Sequence, residues 1–313
     1  MRWAIATTSS DLFALPATVM LRSLADQLTR GARADVYVLD CGISRASRRK
    51  MRRSLPSAWI RLNFIAMDAA QFAGFRDEGH FSLNTYARLF IARLLPAEID
   101  RVVFLDGDML LLDDVTPLAV MDLQGHPLAA VQDPVAGRVG RSAQMMHWEG
   151  WDVPAGTSVF NAGLMVMDLR RMRAAGTLDA AIEVARRHPE RMQWHDQDAL
   201  NYVVRGDYRE LDPAWNVGPF VFYPPHCHDV VYDPETVARC IREPKILHYG
   251  GTWRPWKGPG RHWREGEFYR YLHRTAWRND VYCAPWMGRG NTVWTRVKRM
   301  VKRIAQGARK TRD

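Results

Sequence analysis

Short apolar runs of strand type alternate with stretches of helical spacing through the first two-thirds of the chain, and this alternation leaves few architectures open. Trp3 to Thr7, Asp35 to Leu39, Ile60 to Ile65, Arg101 to Leu105, Leu128 to Val131 and Phe160 to Met167 read as strands. Ala14 to Thr29, Ser44 to Leu55, Thr85 to Leu95 and Leu169 to Arg187 carry helical periodicity. Strand, helix, strand order predicts an α/β fold with a mainly parallel sheet covered by helices on both faces. Ligands of such sheets bind beyond the carboxyl ends of the strands. After Gly206 the chain is richer in proline and aromatic residues and reads as loops and lids over the same core.

The composition, 47% hydrophobic and 25% charged over 313 residues, fits a globular protein and argues against wholesale disorder or a multispanning membrane protein. The formal charge of +10 invites an anionic partner. Eight basic residues and one acid between Asn291 and Asp313 supply +7 of it, so residues 1–290 sum to only +3. A nucleic-acid module would spread its charge over a groove with interleaved aromatics, so no nucleic-acid partner is expected. Four scattered cysteines without a C-x-x-C pair fit a reducing compartment. Thr7 to Asp11 interrupt the first apolar run before a signal-peptide core forms, and no stretch reaches the ~20 apolar residues that span a bilayer. A cytoplasmic protein is expected.

Four segments carry chemistry. In RVVFLDGDMLLLDD an apolar strand runs into Asp106-Gly107-Asp108, where two carboxylates one residue apart can converge on a metal if Gly107 permits the turn. Alone, the pair reads equally well as a β-turn of solvated acids. A buried strand ending in two unpaired acids, however, calls for a partner. In SVFNAGLMVMDLRRMR, Asn161 within a strand demands hydrogen-bond partners, and Gly163 marks either a bulge or a close backbone approach. In WHDQDALN, Asp196, Gln197 and Asp198 sit at a helix N-terminus, where capping explains at least one acid but not Gln197. In KILHYGGTWRPWK, His248 ends a strand before Gly250, Gly251, Arg254 and Lys257, a glycine and cation set suited to phosphate. His226-Cys227-His228 with Cys240 matches no zinc-finger spacing.

Together, over roughly residues 1–260, these segments resemble glycosyltransferase family 8, retaining enzymes of the GT-A fold that include bacterial lipopolysaccharide galactosyl- and glucosyltransferases. The LDGD, FNAG, DQDALN and HYGG-x-x-x-PW segments occur in the family's order, and Thr85-Tyr86-Ala87-Arg88-Leu89 matches a fifth. The resemblance implies transfer of glucose or galactose from UDP-glucose or UDP-galactose to a glycolipid or oligosaccharide acceptor. It implies Asp106, Asp108 and His248 as ligands of Mn²⁺, with Mg²⁺ the alternative. It places Thr8, Ser10, Phe13, Arg88, Gly107, Asp133, Gly251 and Arg254 on the nucleotide sugar. Asn161, Asp196 and Gln197 fall near the sugar's anomeric carbon. Retention through a covalent intermediate requires a carboxylate nucleophile; the matching residue is Gln197, a poor one, so same-face transfer is favoured. Two positions depart from the family pattern. Ser10 stands where an acid usually holds the base, and Arg254 stands where a lysine usually precedes Pro-Trp. Sugar nucleotidyltransferases also use strand-end carboxylates and a metal, but Ala6 to Asp11 lacks their glycine-rich phosphate loop.

Residues 1–260 are expected to form the catalytic domain, 261–290 a helical extension packed on it, and 291–313 a basic tail. Within the tail, 292–305 (TVWTRVKRMVKRIA) places an apolar stripe with Trp294 opposite a basic face, the pattern of a helix lying on an anionic membrane. The expected location is therefore peripheral, at the inner face of the cytoplasmic membrane.

Overall fold

Helices and 3₁₀ turns between the strand-forming runs lead most of those runs into one sheet. The computed structural model describes residues 3–29, 32–77, 83–140, 151–221, 230–251, 254–258, 262 and 264–279. The 292–305 pattern, the 226–228 group, Trp253 and Trp263 lie outside them. In chain order the elements begin β1 (Trp3–Ser9), α1 (Ala14–Gln27), β2 (Ala34–Asp40), α2 (Arg45–Ser54) and β3 (Ile60–Ala66). A 3₁₀ segment (Leu83–Phe90), α3 (Ile91–Leu94), β4 (Arg101–Leu105), β5 (Met109–Leu111), α4 (Thr116–Val120) and β6 (Leu128–Gln132) follow. Then come β7 (Phe160–Asp168), α5 (Leu169–Ala175), α6 (Thr177–Arg187), α7 (Asp196–Val204) and β8 (Arg209–Glu210). The last are α8 (Pro234–Arg242), β9 (Ile246–His248) and α9 (Glu265–Leu272).

The seven-stranded sheet has the order β3-β2-β1-β4-β7-β6-β8. All its pairings are parallel except those of β7, which runs antiparallel to both β4 and β6. That reversal brings the start of β7 beside the carboxyl end of β4. Strand alternation splits the core by face. Ile5, Val103, Leu105 and Val166 pack with α1 and α9, whereas Ala4, Ala6, Phe104 and Met165 pack with α6 and α7. A separate two-stranded ladder pairs β5 with β9 and sets Met109 opposite His248.

Two expected helices differ in detail. The stretch Leu169 to Arg187 breaks at Gly176, whose φ of 63° closes α5 in the left-handed conformation and opens α6. The stretch Thr85 to Leu95 is wound mostly as 3₁₀, and Arg88 in its last turns points into the sheet edge. Ser44 caps α2 by accepting the Ser47 N–H, as its position before the periodic run implies.

Candidate active site

The buried run of β4 delivers Asp106 and Asp108 to the sheet edge, where backbone bonds hold both residues. Asp106 N–H donates to Gly163 O at 2.9 Å, and Tyr249 N–H donates to Asp108 O at 2.9 Å. Gly107 adopts no left-handed backbone, so it is not the turn that demands glycine there. A Cβ on Gly107 would stand 3.3 Å from Ala17 Cβ, so close packing against α1 is the reason. Gly163 likewise serves a close approach, since its Cβ would fall 2.6 Å from His248 Cε1. With both glycines in place, Asp106, Asp108 and His248 each present a ligand atom within 4.8 Å of the others. His248 Nε2 lies 3.3 Å from Asp108 Oδ1 and 3.8 Å from Asp106 Oδ2.

A hydrogen-bonded relay fixes which imidazole nitrogen faces those carboxylates. Gly163 N–H donates to Asn161 Oδ1 at 3.0 Å, which turns Asn161 Nδ2 toward Asp133 Oδ2 at 3.2 Å. Asn161 Oδ1 also accepts from Asn216 Nδ2 at 2.8 Å, so Asn216 Oδ1 is the atom 2.9 Å from His248 Nδ1. His248 Nδ1 therefore carries the proton and donates it. In the neutral ring, Nε2 is then a lone pair aimed at two carboxylates, an arrangement that calls for a cation between them. The donor set fits a divalent metal. Burial alone would lower the His248 pKa, yet the Asp108 and Asp106 carboxylates raise it above its usual value. Burial would raise Asp108, but His248 holds it below the ordinary range. Burial raises Asp106, with only partial relief from Arg88.

Arg88 ties this cluster to α7. Its guanidinium donates to Asp106 Oδ1 at 2.7 Å and to Ala162 O at 2.5 Å, pairs with Asp196 Oδ2 at 2.8 Å, and lies 4.5 Å above the Phe104 ring. Burial, with Asp106 repulsion added, lifts Asp196 to about 6 despite Arg88. Gln197 accepts the Ala162 N–H at 3.0 Å and donates to Asp133 Oδ2 at 3.2 Å. Asp133 Oδ1 in turn takes the Val135 and Ala136 N–H groups. Asp198 is spent on its own turn, accepting the Trp194 N–H at 2.6 Å. His195, at φ 55° and ψ −120°, supplies the strained corner that aims the next three residues inward. Arg88, Asp106, Asp108, Asp133, Asn161, Asp196, Gln197 and His248 thus form one continuous polar cluster.

The remaining expected residues lie around its rim. Thr8 is the last residue but one of β1, with its carbonyl backing Gly107, and Ser10 precedes a short 3₁₀ turn without capping it. Asp11 does not replace the missing acid, because it accepts the Ser44 N–H at 2.9 Å. The Phe13 ring meets the edge of Trp256 at 5.9 Å and carries the Arg254 guanidinium 5.2 Å from its centroid. Arg254 also helps hold Asp108 low, and Gly251 turns the loop at φ 73°. Two further residues support the cluster: Asn216 lies outside every motif, and Asn201, the last residue of DQDALN, has no role assigned by its motif. Asn216 was signalled only as a polar residue inside the apolar run Ala214 to Val217. Asn201 clamps β7 by accepting the Phe160 N–H and donating to the Phe160 carbonyl, both at 2.9 Å.

The model of "Glycosyl transferase family 8" matches residues 4–259. General stress protein A of Bacillus subtilis is 25% identical over 87% of this chain and 94% of its own length. The Escherichia coli lipopolysaccharide 1,2-glucosyltransferase is 25% identical over 56% of this chain and 50% of its own. Among solved structures, galactosyltransferase LgtC in complex with donor and acceptor sugar analogues superposes with a TM-score of 0.74 and 26% identity, covering 87% of this chain and 96% of that one.

Proposed function

The chain belongs to glycosyl transferase family 8 and is a glycosyltransferase of the GT-A fold, and from that premise we propose that it transfers glucose or galactose from UDP to a saccharide acceptor with retention of configuration. The observation that carries this reading is the single, largely buried polar cluster in which Asp106, Asp108 and His248 meet Arg88, Asp196, Asn161 and Gln197. Family membership sets aside the nucleotidyltransferase and purely binding alternatives. The acceptor we infer is a glycan carried on a surface glycolipid such as lipopolysaccharide. Among the described residues no helix is long and apolar enough to cross a membrane. Association at the inner face of the cytoplasmic membrane through residues 292–305 is part of the proposal. Vesicle flotation of the full chain against one ending at Gly290 tests it, and equal binding by both would refute it.

In the mechanism, Asp106, Asp108 and His248 would hold a divalent ion, with Mn²⁺ preferred over Mg²⁺ because the set mixes carboxylate oxygens with an imidazole. That ion would neutralise the diphosphate charge that grows as the glycosidic bond breaks. The chain's own cations act on the same charge: Arg254, stacked on Phe13, and the Gly251 backbone lie at the pyrophosphate side. Thr8, Ser10 and Phe13 line the nucleoside end. Arg88 holds Asp196 and Asp106 in register, while Asp133, Asn161 and Gln197 present polar atoms to the sugar hydroxyls. Gln197 is an amide with both ends engaged, so it orients and does not attack. The acceptor hydroxyl then adds to the anomeric carbon on the face the phosphate leaves, and a leaving phosphate oxygen takes its proton. A glycosyl-enzyme adduct trapped with a slow donor would overturn this step.

The assignment is tested by donor hydrolysis and transfer with a panel of UDP-sugars and Mn²⁺. Asp108→Asn is expected to lose at least about a hundredfold in kcat, the scale of removing one transition-state electrostatic partner. Turnover indifferent to both metal and substitution would defeat the proposal.

A further inference from the structure

The small net charge of residues 1–290 conceals a local excess, for the sequence from Cys41 to Met67 holds seven basic residues and no acid. Six of the seven lie on the ten-residue α2. At about 100° per residue, Arg52, Arg45, Arg49 and Arg53 fall within an arc of about 100°. That arc is centred opposite the buried Ser47, Met51 and Ser54, and all four arginines are exposed. Like charges at i, i+4 repel, here Arg45 with Arg49 and Arg49 with Arg53. Arg45 also opens the helix at the positive end of its dipole; the helix's own first turn holds no acid, and Asp11, from the loop after β1, reaches the Ser44 cap. Among the described residues Arg45, Arg49 and Arg53 have no ion pair. A helix loaded in this way is stabilised by an anionic surface outside it.

Two further features mark the same end of the molecule. Trp59, just beyond α2, is 46% exposed, one of three large apolar side chains so exposed among the described residues. Exposed Arg33 donates to Ala58 O at 2.7 Å beside it. The chain after α9 also arrives here: Ala276 N–H donates to Ser54 Oγ at 2.9 Å, and Lys50 Nζ lies 4.3 Å from the Trp277 ring centroid. From this point the sequence runs on into its basic C-terminal stretch.

We propose that the solvent face of α2, with Trp59 at its end, is a contact of the folded body with an anionic bilayer, separate from any contact made by residues 292–305. A convex row of cations bordered by one interfacial tryptophan matches a plane of lipid headgroups. Nucleic acid would ask instead for a basic groove interleaved with aromatics. The inference rests on the body's surface and not on the transferase reading.

The test uses the full chain carrying Arg45→Gln, Arg49→Gln, Arg52→Gln and Arg53→Gln, sedimented with phosphatidylcholine vesicles with and without phosphatidylglycerol. Each basic side chain near an anionic bilayer contributes roughly fivefold in partition, so binding to the anionic vesicles should fall at least about a hundredfold. The corresponding fourfold Lys chain should keep binding, salt should weaken it, and donor turnover in solution should match wild type in both chains. If the Gln chain fails to fold, Arg49→Gln with Arg53→Gln is read the same way, with at least about a tenfold loss. Undiminished binding of the Gln chain to anionic vesicles overturns the proposal. So does a duplex oligonucleotide that displaces wild type from the vesicles and no longer binds the Gln chain.

Discussion

At the scale of single residues, the site depends on a side chain that touches neither acid of the Asp-Gly-Asp turn. Asn216 Oδ1 accepts the hydrogen bond from His248 Nδ1–H, and Asn216 Nδ2 donates to Asn161 Oδ1. Replacing Asn216 by Ala frees the ring to rotate and to exchange tautomers, and partners of this kind are worth about 10–100-fold in metal affinity. Titration of Mn²⁺ into Asn216→Ala should show that loss with the melting temperature of the metal-free protein little changed; unaltered affinity would remove Asn216 from the site. His248 would also make metal binding pH-dependent. Its folded pKa is raised, so its protonated form stabilises the metal-free protein below the unfolded value of about 6.5. That contribution is lost as pH rises through the raised value. Metal requires the deprotonated ring, so the increase in melting temperature caused by Mn²⁺ should be small at acid pH and grow above about 6.5. In His248→Asn the increase should vary little over that range, and a wild-type increase independent of pH would contradict the account. The carboxylates, the imidazole and the FNAG asparagine were readable because each lies in a contiguous motif. Asn216 was not, because its partners are 55 and 32 residues away, and only folding reveals that it bridges them.

At the scale of elements, the alternation of runs was enough to place the six main strands, because buried strands and covering helices have distinct periods. The sequence did not carry the direction of β7, which depends on how its neighbours pair and not on its own apolar pattern. Nor did it reveal the break at Gly176, since an isolated glycine is tolerated within a helical pattern. Arg173 on α5 shows what holds the approach to the site. Its guanidinium donates to the carbonyls of Ala92, Leu95, Pro96, Ala97 and Ile99 at 2.8 to 3.2 Å, closing the turn that feeds β4. A lysine ammonium cannot reproduce that fork. Arg173→Lys should cost about 1–3 kcal/mol in urea denaturation, with metal affinity nearly preserved. No loss of stability would mean that the turn closes by itself.

At the scale of the whole molecule, the two apolar clusters share one sheet, and the C-terminal segment belongs to one of them. Trp277 is buried against α1, where its indole N–H donates to Thr18 Oγ1 at 3.1 Å. Trp277→Ala should therefore lower stability by about 3–5 kcal/mol within a single calorimetric transition. A separate early transition that leaves the main one in place would show that the segment unfolds on its own. The β5–β9 ladder couples distant parts of the chain in another sense. It joins Asp108 to a histidine 140 positions later in the sequence. Ribosomes add about 5–20 residues per second, so the acids leave the ribosome roughly seven to thirty seconds before the imidazole that completes their set. During that interval the nascent chain has two of the three side chains that would hold an ion, so capture would wait for the third.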